Sequence, residues 1–170
     1  MWWLPAYPPE VGGMEVFAQQ TTQQLLRRGH SPTVVACQSG PSDEEVDGVR
    51  VIREPFAQML EDADPRSVVK ARRRAARLKS DIAPDLYHVH YAGPPVLLHL
   101  LTQETAPAPT ILTLHNEPHV AWLRGNTDGD TVRGRLFELA SRISCVSGPV
   151  LRQLVAYRPS ISHRVVVIPN

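Results

Sequence analysis

The sequence predicts an α/β fold in which a parallel sheet of about seven strands is covered by helices on both faces. Short β-branched, apolar runs alternate along the chain with longer segments that have helical periodicity, which is typical of such sheets. The length of 170 residues, with 42% hydrophobic and 21% charged residues, fits one soluble domain with a sizeable core. No internal repeat or low-complexity tract suggests another architecture.

The strands are predicted where Val, Ile, Thr and Tyr run together between turn-forming residues. Six such runs occur, at 33–37, 49–53, 86–91, 110–115, 143–147 and 164–168. A seventh strand is expected at 2–4, and it is short for the centre of a sheet.

The helices are predicted between these strands from apolar residues that recur every three or four positions. The first runs from Met14 to Leu26, and Gly29 follows where a helix end favours a left-handed residue. The second begins at Pro65 and ends before Pro84. Others are expected at roughly 95–103 and 131–141, and a fifth near Ser147 as N-cap; the irregular segment 117–130 is expected to be a mobile loop.

Composition limits the classes of partner and the cellular compartment. A formal net charge of +1 gives no global bias toward nucleic acid, so any electrostatic partner must meet a local patch. Cys37 and Cys145 both lie in β-like runs, where buried free thiols are expected, and this favours a reducing cytosol. No apolar run approaches the ~20 residues of a membrane span, so we expect a soluble or peripheral protein.

A glycine pair opens the first helix, in the stretch YPPEVGGMEVF, and raises the question of phosphate binding. The pair is not a dinucleotide fingerprint, because a third glycine and an acidic residue after the next strand are missing. It is not a P-loop, because no lysine follows. The amides of Gly13, Met14 and Glu15 could still face an anion at the helix N-terminus. The alternative is that Gly12 and Gly13 only form a tight turn.

Six blocks, taken together, resemble in order and spacing the N-terminal half of family 4 glycosyltransferases. The blocks are YPPEVGGMEVFAQQTTQQLLRRGHSPTVVAC, DGVRVIR, PDLYHVHY, TILTLHN, ISCVS and RVVVIPN. The resemblance implies one Rossmann-like half of a GT-B architecture, in which two such domains face each other across a cleft. It also implies transfer of a sugar from a nucleotide-diphosphate donor to a hydroxyl acceptor (a glycan, a lipid or a small molecule) with retention at the anomeric carbon, and no bound cofactor.

By this resemblance, residues 1–170 are the acceptor-side domain, and the C-terminal donor-binding domain is absent. No glutamate in the sequence has another glutamate eight residues on, although such a pair holds the donor in the second domain of the family. We therefore expect the chain alone to be inactive. Two alternatives stay open: a stand-alone acceptor-binding or interaction subunit that recruits a donor-binding partner, and a dinucleotide-dependent oxidoreductase, which the missing fingerprint residues disfavour.

The resemblance assigns candidate roles at the predicted carboxyl edge of the sheet. Gly12 and Gly13 would offer amides to the donor diphosphate. His115, at the end of its strand, resembles the active-site histidine, with a positioning and polar role rather than that of a nucleophile. Asn116 and Glu117 would follow at the edge of the cleft as acceptor contacts.

The motif His88-Val-His90 places two imidazoles on one side of a strand. Two ligands do not make a metal site, and His115 or His119 would have to converge with them, so no metal is predicted. His88 is interpreted as a buried structural residue. By the resemblance, His90 and Tyr91 would lie at the strand tip and contact the acceptor.

The helix that begins at Pro65 is strongly basic, with seven positive charges and no acid between Arg66 and Lys79. Either the charges form a solvated outer face, or they contact an anionic membrane surface or an anionic acceptor. The second reading would place the protein peripherally at the cytoplasmic face of a membrane. The residues on the arc opposite the apolar stripe are Arg66, Lys70, Arg73, Arg74 and Arg77, with Arg72 and Lys79 at its border.

Overall fold

The computed structural model describes residues 1–37, 40–62, 64–90, 93–115 and 132–169, without the side chains of 132 and 133. Eight strands of the described chain form one sheet in the order β3-β4-β2-β1-β5-β6-β7-β8. The strands are β1 Trp2–Leu4, β2 Thr33–Ala36, β3 Ser42–Val46, β4 Val49–Arg53, β5 Tyr87–His90, β6 Thr110–Leu114, β7 Arg142–Cys145 and β8 Val165–Val167. All seven predicted strands are present, each within one or two residues of its expected ends.

Helices pack on both faces of the sheet, so the predicted α/β class is confirmed. The described α-helices are α1 Gly13–Arg27, α2 Phe56–Glu61, α3 Pro65–Ile82, α4 Pro94–Leu101, α5 Val132–Leu139 and α6 Gly148–Tyr157, followed by a 3₁₀ helix at Pro159–Arg164. Gly29 has a φ of 81° after α1, as its position predicted. The short α2 and the 3₁₀ helix were not predicted, because six residues show too little periodicity to separate a helix from a loop.

The sheet is Rossmann-like, because its parallel strands β4-β2-β1-β5-β6-β7 run outward in both directions from the centre. β1 pairs in parallel with β2 on one side and with β5 on the other. Chain connections therefore leave in opposite directions at this pair of strands. In open α/β sheets that reversal opens a crevice at the carboxyl ends of the strands, which is where ligands bind.

The seven predicted strands pair in parallel, and an eighth strand that was not predicted, β3, pairs antiparallel with β4 at one edge. Asp47 and Gly48 join the two strands with φ values of 50° and 80°, which is the backbone of a two-residue hairpin turn. The strand SDEEV carries exposed acids rather than an apolar pattern, so periodicity alone does not reveal it. Charged residues of this kind protect a sheet edge from pairing with other chains.

The three-residue strand β1 connects the two hydrophobic cores. Side chains of a strand alternate between faces, so Trp2 packs with Leu4 and Ala18 of α1 in one cluster, and Trp3 packs with Phe56 in the other. Trp3 and Leu4 have no exposed surface. None of the helices that the structure describes is long and apolar enough to cross a bilayer.

From the sequence we expected Lys79 at the border of the basic surface of α3. The structure instead buries Lys79 fully between α3 and α4. Its Nζ donates hydrogen bonds to the carbonyl oxygens of His99 (3.1 Å) and Thr102 (3.0 Å), and it lies 4.6 Å from the centre of the Tyr87 ring. The last carbonyls of a helix need donors, and Lys79 supplies them at the C-terminus of α4. The opposite end of α4 follows the tip of β5 in the crevice.

We predict that Lys79 makes stability rise with pH above neutrality. Burial lowers the pKa of Lys79 to about 7 in the folded protein, whereas an unfolded lysine keeps its proton to about 10.5. Between these values folding releases a proton, so a rise in pH favours the folded state. Urea denaturation at pH 7 to 8.5 should show the stability of the wild type rising relative to Lys79→Met, by up to about 1.4 kcal/mol per pH unit.

The exposed Lys70 on the same helix provides the control, because Lys70→Met should leave the pH dependence of the wild type in place. A difference between wild type and Lys79→Met that stays constant over this pH range would contradict the assignment.

Candidate functional site

The glycine pair lies at the start of α1, in the crevice at the carboxyl end of β1. Gly12 is the N-cap, with an extended backbone (φ −159°), and Gly13 is the first helical residue. A Cβ on Gly13 would meet no atom within 4 Å, whereas one on Gly12 would meet the carboxylate of Glu15, which folds back toward it. Neither glycine has a left-handed backbone. Thus the conformation of the described chain does not require glycine at position 13.

Helix α1 packs against His115 through Phe17, one turn after its start. No side chain caps the N-terminus of α1, so its first amides keep their hydrogen-bonding capacity. Phe17, one turn after Gly13, meets the His115 ring edge-on at 5.5 Å between centroids and the His90 ring at 5.8 Å. The structure therefore brings the glycine turn and His115 to the same end of the sheet.

His115, just after β6, shares a hydrogen bond with His90 of β5. The distance from His90 Nδ1 to His115 Nε2 is 2.7 Å, and the two rings stack at 4.9 Å. His90 has no exposed surface, and its Nε2 has no hydrogen-bond partner among the described residues. One imidazole donates and the other accepts in this bond, so the tautomers of the two rings are coupled through it.

A row of polar side chains crosses three strands below this pair. His88 Nε2 lies 2.6 Å from Thr113 Oγ1, which lies 2.6 Å from Ser144 Oγ. The rings of His88 and His90 are 4.6 Å apart, which confirms that both face one side of β5, and Trp2 packs on His88 at 4.0 Å. Because each of these groups has a partner within the row, His88 acts as the structural residue that the sequence predicted.

Burial keeps the inner histidines uncharged. Desolvation lowers the pKa of His88 to about 3, with smaller contributions from His115 and the N-terminal amine. Desolvation also lowers the pKa of His90 well below its ordinary value, with repulsion from His88 and His115 adding to the effect. At neutral pH these two rings therefore act as fixed dipoles under His115, not as cations.

The predicted site residues fall into three groups. The structure brings Gly12, Gly13 and His115 together at the carboxyl edge of the sheet. His90 is at the same edge but beneath the surface, so its geometry favours holding His115 over direct contact with an acceptor. The remaining acceptor candidates lie outside the described residues, as do His119 and the predicted loop; these candidates are Tyr91, Asn116 and Glu117.

Sequence reasoning missed the polar and aromatic neighbours of the histidines. Thr113 lies two residues before His115, so the period of a strand places both on one face. The same argument could have found Thr113 from the run TILTLH. It could not have found Phe17, Trp2 or Ser144, because their proximity depends on helix packing and on strand order.

No metal site is found in the described part of the chain. Among the described residues, no group of three or more His, Cys, Asp or Glu side chains could hold a metal ion.

Ser147 is the N-cap of helix α6, which follows β7. Its Oγ accepts a hydrogen bond from the amide of Val150 at 3.5 Å.

The basic surface of α3 borders a groove of about 550 Å³. Arg66, Lys70, Arg73 and Arg77 are exposed, whereas Arg74 is bound by the buried carboxylate of Glu54 at 2.6 Å. The floor of the groove is apolar, and Val69 beside it is 47% exposed. The residues that line the groove are Pro41, Glu54, Pro55, Met59, Lys70, Arg73, Arg74 and Arg77.

We predict that His90 fixes the tautomer of His115. In His90→Asn the side-chain amide can still form a hydrogen bond from the position of Nδ1, whereas His90→Leu removes the partner. Long-range ¹H–¹⁵N spectra should show a single tautomer of His115 in the wild type and in His90→Asn, because the hydrogen bond determines which ring nitrogen carries the proton. His90→Leu should give a mixture of the two tautomers, and an unchanged His115 in that variant would contradict the assignment.

Comparison with known proteins gives one informative result. A search of curated proteins finds no significant match. The family model described as Glycosyltransferase Family 4 matches residues 11–170, which is nearly the whole chain. The match covers the glycine turn, the histidine strands and the Rossmann-like sheet. The chain therefore belongs to Glycosyltransferase Family 4 and is a glycosyltransferase domain.

Proposed function

We propose that this chain is the acceptor-side domain of a two-domain GT-B enzyme that transfers a sugar from a nucleotide-diphosphate donor to a hydroxyl acceptor with retention of configuration. The observation that carries the proposal is the open N-terminus of α1 beside His115. In a member of this family, uncapped amides and a polar side chain that meet in the crevice are the groups that a leaving diphosphate requires.

The lack of a structural reason for Gly13 supports this role. A residue with space beside its α-carbon and no left-handed backbone could be any good helix former. Glycine at this position instead leaves the first amides of α1 open to close approach by a ligand. Negative charge gathers on the leaving diphosphate in the transition state, and one well-placed amide stabilises it by on the order of 3 kcal/mol.

His115 orients the reacting groups. Its Nε2 lies 2.7 Å from His90 Nδ1, and this contact fixes the direction of the ring. A ring held in one direction at the end of β6 would help to fix the mutual geometry of the donor sugar and the acceptor without a covalent intermediate. Tyr91, Asn116 and Glu117 would contact the acceptor from the ends of β5 and β6.

The nucleotide would be held by a second domain across the cleft, so this chain alone should turn over little donor. The alternative is a stand-alone acceptor-binding or interaction subunit that recruits a separate donor-binding partner. Expression of the chain with any coding sequence that follows residue 170, and a screen of nucleotide sugars by donor hydrolysis, distinguishes the two. Turnover by the 170-residue chain would contradict the two-domain proposal, and a stop codon after residue 170 would favour the subunit.

We predict that Gly13→Val lowers kcat of the complete enzyme by about a hundredfold, because the side chain blocks the approach of the diphosphate to the amides. Gly13→Ala should have a smaller effect. Gln24→Val introduces the same β-branched residue at an exposed position of α1 and controls for the general effect of an exposed valine on this helix. Donor hydrolysis and thermal unfolding are measured together. Equal activity of Gly13→Val and Gln24→Val would overturn the role of Gly13.

We also propose that the basic surface of α3 docks the enzyme on an anionic membrane at its cytoplasmic side. Lys70, Arg73 and Arg77 line the groove and form no ion pair within the described chain, and such cations around an apolar floor match acidic head groups above acyl chains. Arg66 adds a further exposed basic side chain on the same helix. Arg74 contributes less, since Glu54 already neutralises it. The two cysteines are buried and free, which fits a reducing compartment.

We predict that the protein co-sediments with vesicles that contain anionic lipid and not with neutral vesicles. Arg73→Glu combined with Arg77→Glu should abolish this binding, because each basic group contributes up to about 1 kcal/mol at an acidic surface. Arg152→Glu combined with Arg142→Glu makes the same charge change at exposed positions elsewhere. Equal sedimentation with both kinds of vesicle, or equal loss in both double variants, would remove the membrane proposal.

A further inference from the structure

A buried arginine reaches from β4 to the loop that leads into the glycine turn. Arg53 is the last residue of β4, and only 8% of its surface is exposed. Its Nη1 donates to the carbonyl oxygen of Tyr7 at 3.1 Å, and its Nη2 donates to the carbonyl oxygen of Pro8. The guanidinium thus bridges two consecutive carbonyls just before the segment 9–12.

The loop has few other means of support. Pro8 and Pro9 have no amide to donate, and the exposed Glu10 and Val11 take part in none of the hydrogen bonds of the described chain. The Tyr7 side chain is tied to α1 through its hydroxyl, which lies 2.8 Å from Thr22 Oγ1. The amide of Cys37 holds the carbonyl of Pro5 at the start of the loop (3.0 Å), and Arg53 ties the backbone further along, at Tyr7 and Pro8, to the sheet.

A second residue neutralises the buried charge. Glu44 of β3 accepts a hydrogen bond of 2.6 Å from Arg53 Nε. A buried guanidinium is costly unless a counter-charge and acceptors satisfy it, and here the hairpin β3-β4 supplies the counter-charge. The antiparallel edge strand, which the sequence did not reveal, thus has a role in the geometry of the crevice.

We propose that Arg53, held by Glu44, is the positioning residue of the glycine turn. By fixing the carbonyls of Tyr7 and Pro8, it sets the path of the loop and the direction in which the Gly12 and Gly13 amides face the crevice. A rigid fork that donates two parallel hydrogen bonds serves this purpose better than a flexible ammonium group. The catalytic consequence rests on the proposed function, whereas the positioning itself does not.

A purely structural role of Arg53 would stabilise the whole domain, whereas a positioning role acts on the loop and the first turn of α1. The two differ in where hydrogen exchange changes. The amide of Val16 is a suitable reporter, because it donates to the carbonyl of Gly12 at 3.0 Å and so closes the first turn of the helix. Core amides such as Val35 and Leu112 report global stability.

The experiment measures amide exchange in the 170-residue chain and four variants. In Arg53→Met, exchange at Val16 should accelerate at least about tenfold more than exchange at the core amides. Arg53→Lys should give a partial effect, since one ammonium group cannot bridge both carbonyls, and so should Glu44→Ala. Glu45→Ala, an exposed acid on the same strand with no contact to the loop, should resemble the wild type.

If Arg53→Met does not fold, the comparison of Arg53→Lys and Glu44→Ala with Glu45→Ala decides the question. Val16 exchange that changes only in proportion to the core in every folded variant overturns the positioning role. In an enzyme that hydrolyses donor, Arg53→Lys should lower kcat by about tenfold to a hundredfold, and Glu45→Ala should not. An unchanged kcat overturns the catalytic consequence. If the complete wild-type enzyme, with its second domain, hydrolyses no donor, the proposed function fails, and the exchange data on the 170-residue chain still decide the role of Arg53.

Discussion

The fold depends on the burial of the three-residue strand β1 at the centre of the sheet. β1 forms parallel ladders on both sides, and its two tryptophans enter opposite cores, so one short segment holds both helical layers. The reversal of strand order at β1 and β5 creates the crevice, and the chain leaving β1 runs directly into the glycine turn. The same constraint therefore determines both the stability of the domain and the place of its site.

Buried polar groups define the crevice in a way that an apolar core could not. His88, Thr113 and Ser144 satisfy one another across three strands, and the neutral His90 holds His115 from below. On the other side of the glycine turn, Arg53 and Glu44 fix the loop from the edge of the sheet. Nearly every polar group in each network has a hydrogen-bond partner, and such networks favour one arrangement of the site over many.

Much of the fold could be predicted from the sequence, because β-branched runs, helical periodicity and terminal residues such as Gly29 and Pro65 act locally. The strand β3 was missed because it lies at the edge of the sheet, where its acidic residues are exposed and form no apolar pattern. Lys79 was placed on the surface because a basic run predicts solvent exposure, whereas the end of α4 supplies carbonyls that only the tertiary structure reveals. Gly12, Gly13 and His115 were proposed from the family resemblance and from their positions at element ends. The residues that contact them or their loop, Phe17, Arg53 and Glu44, come from other elements, so no local pattern indicates them.

We propose that the turn at Gly12–Gly13 and His115 form one anion-binding site. A titration of the ¹⁵N-labelled chain with inorganic pyrophosphate tests this, at roughly physiological ionic strength, where weak surface attraction is screened. We expect saturable shifts of the Gly13, Met14 and Glu15 amides together with the His115 ring, all with one dissociation constant. Shifts confined to the basic surface of α3, or the absence of saturable shifts at the start of α1, would contradict it.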